Sequence, residues 1–69
     1  MSKDYPLVNW FTYHAPNAEQ VVRYQKIRDA ALEFARVLQE CGAEGPDLTA
    51  GLRKVREAVM TVNQGIACE

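Results

Sequence analysis

One set of positions recurs along the middle of the chain at alternating intervals of four and three: Gln20, Tyr24, Ile27, Ala31, Phe34, Leu38 and Cys41. That spacing is the seam of a helix packed lengthwise on a partner. Asn17 is an N-cap residue, Gln20 stands at the capping-box position, and Pro16 discourages an earlier start. Helix A is therefore predicted over 17–41, ended by Gly42, which suits the left-handed position after a helix. A second seam follows as Leu48, Leu52, Val55, Val59, Val62 and Ile66. Gly45-Pro46-Asp47 offers an N-cap candidate with proline at the first helical position, so helix B is predicted over 46–67.

Two helices of similar length and a short connection give an antiparallel hairpin, so the expected fold is all-α and a single domain spans 1–69. Residues 1–16 form an arm in which Leu7, Val8, Trp10 and Phe11 follow Pro6 and pack as a lid or a short helix. Val21, Ala30, Ala35 and Val37 on helix A, and Ala58, Met60 and Ala67 on helix B, lie off the seams, where one hairpin cannot cover them. They predict a helical homo-oligomer. Size points the same way, because 69 residues make at best a marginal lone core.

Crosslinks do not supply the missing stability. Cys41 and Cys68 end the two helices, roughly 30 Å apart at 1.5 Å per residue, which excludes an intrachain disulfide. They also lack the spacing of a metal site. No stretch is long and apolar enough to span a membrane, and no apolar leader precedes the arm, so a cytosolic protein is expected. Eight basic and nine acidic residues leave a net charge of −1, without the strong positive field of a duplex nucleic-acid binder. Any anion site must be local.

One locality stands out. Phe11-Thr12-Tyr13-His14-Ala15-Pro16 sets aromatic rings just ahead of the cationic run Arg23-Tyr24-Gln25-Lys26-Ile27-Arg28, an arrangement suited to a flat, anionic ligand. Phe11 and Tyr13 offer ring faces for stacking, with core packing as the competing use. On a helical wheel Arg23 and Arg28 flank the seam and Lys26 points away from it, toward a neighbouring protomer; the plainer reading is a solvated face paired with Glu19, Asp29 and Glu33. On helix B, Arg53 and Arg56 fall off the seam and Asn63 near it, where an oligomer axis would gather copies into a ring of donors. The single histidine, His14, has no partner spaced for metal binding, and no nucleophile motif occurs, so an enzyme is not expected.

Taken in order, Phe11-Thr12-Tyr13-His14, Pro16, Arg23-Tyr24, Ile27-Arg28-Asp29, Glu57-Ala58-Val59-Met60, Asn63 and Ile66-Ala67 resemble a family of small phage proteins. These are the helical-hairpin sponges that counter bacterial CBASS immunity and share their domain with the anti-Thoeris sponges. The resemblance covers about residues 11 to 67. It implies a homohexamer that sequesters cyclic dinucleotides, such as 3′,3′-cyclic GMP-AMP, in the host cytoplasm without cleaving them and with no cofactor. It implies stacking on Phe11 or Tyr13, phosphate binding by Lys26 or Arg28, and neighbouring roles for Thr12, His14 and Arg23. Cyclic trinucleotides at a second site would fall to Arg53, Arg56 and Asn63. Ala15, where relatives often carry a second proline, and Thr61-Val62, where an aromatic is common, depart from the pattern and bear on ligand preference. The alternative, from another class, is an interaction module that grips a host protein through Val21, Val37 and Met60.

Overall fold

The computed structural model describes residues 4–69, so the first three positions of the arm lie outside the described residues. Three helices follow in order: α1 over Leu7–Trp10, α2 over Ala18–Cys41 and α3 over Pro46–Ala67. The arm thus contains a single helical turn, opened at Pro6 and closed by the Phe11 amide donating to the Leu7 carbonyl at 3.0 Å.

α2 starts where its cap requires. The Gln20 amide donates to Asn17 Oδ1 at 2.8 Å and the Asn17 amide to Gln20 Oε1 at 3.1 Å, a reciprocal box that satisfies two otherwise orphaned donors. Its end differs from expectation, because Gly42 is extended, with φ −78 and ψ 152, and is not left-handed. Space explains the glycine here: a Cβ would stand 2.6 Å from the Leu38 carbonyl oxygen and 3.1 Å from Leu48 Cδ1. The reversal is made instead at Gly45, whose φ of 146 with ψ −171 is closed to residues with side chains. Pro46 then begins α3 with its preset φ.

α2 and α3 pack antiparallel. Gln20 Nε2 at the start of α2 donates to the Ile66 carbonyl at the end of α3, at 3.0 Å, while Leu38 and Leu48 meet at the opposite pole. Gln20, Tyr24, Ile27, Ala31, Ala35 and Leu38 are half-buried on α2; Leu48, Leu52, Val55, Val59 and Asn63 are half-buried on α3, beside buried Ile66. Three predicted seam residues, Phe34, Cys41 and Val62, are therefore exposed, and Ala35 and Asn63 stand in for Phe34 and Val62. Positions 34 and 35 straddle the contact line about 100° apart, and the smaller Ala35 lets the axes approach where Phe34 would hold them off. Cys41 is a free exposed thiol at the turn pole, and Cys68 is free at the other pole.

Among the described residues only Ile66, 6% exposed, is buried. The chain presents 5986 Å² to solvent, against about 4,400 Å² for a self-sufficient monomer of this mass. Its radius of gyration of 15.4 Å likewise exceeds the about 11 Å of a compact domain this long. A lone hairpin leaves its apolar surface unfinished.

Candidate functional site

The arm, the start of α2 and the end of α3 converge at one pole. Asn9 Nδ2 donates to the Cys68 carbonyl at 2.9 Å, and Gln64 Nε2 donates to the Trp10 carbonyl at 3.3 Å and lies 3.1 Å from Cys68 Sγ. His14 Nε2 is 2.8 Å from the Asn9 carbonyl oxygen; a carbonyl only accepts, so Nε2 carries the proton. Thr12 Oγ1 donates to the Val8 carbonyl. Tyr5 and Trp10 meet at 5.9 Å between ring centres. These bonds give two of the sequence-derived candidates, Thr12 and His14, work inside the arm, whereas Phe11 and Tyr13 stand out from it at 83% and 85% exposure.

Beside this junction, one face of the hairpin carries an open groove of about 420 Å³ lined by Arg23, Lys26, Ile27, Ala30, Val62 and Ile66. Its volume falls within the range of small-molecule sites, about 300–1,000 Å³. Lys26 belongs to this groove, contrary to its wheel position, because the wheel places the Cα whereas the long aliphatic stem of lysine reaches back along apolar surface. Arg23 is paired with Glu69: Nη1 bonds Oε1, and Nη2 donates to Oε2 at 3.3 Å. The hydrogen bond to Glu69 raises the Arg23 pKa, and the same contact with the guanidinium lowers that of Glu69. Lys26 has no ion pair among the described residues.

Arg28 is not part of this groove. It lies one turn before Leu32, which with Ala31, Ala35, Leu52, Val55, Arg56, Val59 and Met60 lines a second groove of about 320 Å³ on the opposite face. Lys26 and Arg28 therefore address different surfaces, and one protomer does not bring them to one ligand. Arg56 shares the face of Arg28, Arg53 is exposed beside it, and half-buried Asn63 leaves its Oδ1 without a hydrogen-bond partner. Of the local carboxylates in the plainer reading, none forms an ion pair with this cationic run among the described residues: Arg23 pairs with Glu69, and Asp29 accepts from Gln25 at 2.8 Å.

Sequence reasoning missed Asn9, Gln64 and Glu69. Each acts across 46 to 59 residues of chain, and neither periodicity nor local spacing registers such a contact. Lys54, off the seam of helix B and expected only as a solvated residue, borders the first face beside Phe34 and Ala58. Among the described residues no group of three or more His, Cys, Asp or Glu is placed to hold a metal ion, and no helix is long and apolar enough to cross a membrane. No curated protein and no solved structure matches the chain at a significant level. A family model does match, over residues 4–67, and its description is "Acb2/Tad1, hairpin domain".

Proposed function

The chain belongs to the Acb2/Tad1 hairpin-domain family, and from that premise we propose that it is a phage anti-defence sponge. It captures cyclic oligonucleotide second messengers in the host cytoplasm and withholds them, uncleaved, from CBASS effectors. The observation that carries the reading is the groove in which Arg23 and Lys26 border an apolar floor of Ile27, Ala30, Val62 and Ile66. A cyclic dinucleotide has the matching chemistry, with two phosphodiester anions on a ring and two flat bases.

Within this reading, Lys26 and Arg23 take phosphate on one face, and Phe11 or Tyr13 supplies a stacking surface worth about 1–3 kcal/mol per base. Thr12 and His14 hold the arm that carries those rings. The groove is open, so a neighbouring protomer completes it, and a homohexamer provides such neighbours. Arg28, Arg53, Arg56 and Asn63, gathered on or near the other face, are the donors for a second site that takes cyclic trinucleotides. Asn63 Oδ1, buried and unpartnered, is the atom there with unused bonding capacity.

Native mass spectrometry with and without a panel of cyclic di- and trinucleotides tests assembly and capture together. A hexamer carrying intact dinucleotides supports the reading. A monomer or dimer that carries none overturns it and favours the interaction module. Ligand recovered in hydrolysed form would convict the protein of catalysis.

A further inference from the structure

Arg23 meets Glu69 through both terminal guanidinium nitrogens, Nη1 and Nη2, and both carboxylate oxygens, the forked geometry by which arginine also holds a phosphate. Arg23 lines the same groove that Lys26 borders. Both side chains remain substantially exposed, at 41% and 48%, so the pair is the exchangeable kind that solvent and competing ions weaken. We propose that Glu69 is a built-in surrogate for the ligand's phosphate, occupying the Arg23 fork in the empty protein, and that an entering phosphodiester must displace it. This rests on the reading of the groove as a cyclic-dinucleotide site.

Glu69 stands two residues beyond the end of α3 and is tethered beside Arg23, so it competes as an intramolecular anion whose effective concentration is set by its short tether. Two anions cannot share one guanidinium without repulsion, and a carboxylate displaced from Arg23 loses its bond there. Among the described residues Lys26 carries no such internal partner, and it stays open to a first phosphate. The site therefore favours an anion that engages Lys26 and still has a second charge with which to evict Glu69. Glu69 acts as a specificity-determining residue against simple anions, with Arg23 held in its binding rotamer meanwhile.

Titration calorimetry with 3′,3′-cyclic GMP-AMP on the assembled protein tests this through a double-mutant cycle. Glu69→Gln is expected to bind about two- to fivefold more tightly than the wild type, the scale of an exposed ion pair. Glu69→Asp, which keeps the charge but shortens its reach, is expected to tighten binding as well and separates the contact from net charge. In an Arg23→Ala background, Glu69→Gln should change nothing. Unchanged or weaker binding by both Glu69 variants overturns the proposal, as does a gain that survives without Arg23. A wild-type protein that binds no cyclic dinucleotide sinks the sponge reading together with this one, whereas a binding wild type with inert Glu69 variants sinks this one alone.

Discussion

The Glu69 carboxyl is held below the usual carboxylate range, first by its hydrogen bond from Arg23 and then by the positive charge there. A depressed folded-state pKa means that its contribution is full above the unfolded value, near 4.3, and is lost as pH falls through the folded one. A carbon-detected NMR titration should therefore place the Glu69 midpoint below that of free glutamate, and Arg23→Ala should return it to normal. Tyr13→Ala is expected to weaken dinucleotide binding about five- to a hundredfold, the range of one lost base stack. Lys26→Ala, which removes a charged phosphate partner, should cost on the order of tenfold. Both should leave the oligomer intact, since neither side chain supplies the exposed apolar faces at Phe34, Val62, Leu32 and Met60; wild-type affinity in both variants would move the site elsewhere.

At the scale of elements, the helices end for reasons that differ from pole to pole. Gly45 adopts a backbone conformation that no side chain tolerates, so Gly45→Ala should destabilise the hairpin by about 1–3 kcal/mol, visible as a lowered urea midpoint with unchanged m-value. At the other pole the last carbonyls of α3 are met by Gln20 and Asn9, side chains from two other parts of the chain. Asn9→Ala should loosen the arm alone, raising amide exchange over residues 5–16 while α2 and α3 stay protected. The helix limits were legible in the sequence because caps, proline and glycine act locally, and 46–67 matches Pro46–Ala67 at both ends. The seam was legible only to within one position, since Phe34 and Ala35 straddle the contact line and their bulk decides between them. The site was legible as a set of residue types and not as a place. Lys26 and Arg28, two apart in sequence, face opposite surfaces, and Glu69 reaches Arg23 with no local signal to announce it.

For the whole molecule, the decisive fact is that apolar surface survives on two sides. Phe34 and Val62 stand on one face at 54% and 52% exposure, and Leu32 and Met60 on the other at 53% and 62%. A single two-fold contact would cover one of these and leave the other wet, so assembly beyond a dimer is the expected outcome. Phe34→Glu and Met60→Glu should each convert most particles to smaller species in native mass spectrometry, and the double variant should yield protomers of reduced helicity. Retention of full mass by both single variants would mean that the faces serve something else. A chain that buries one side chain among its described residues makes abundance part of the proposed mechanism. If neighbours complete the fold, mass action ties folding to concentration, and Tm should climb with protein concentration. Capture would then switch on over a narrow range of dose: a few copies early in an infection would accomplish little, and a burst of expression would count for more than its copy number alone.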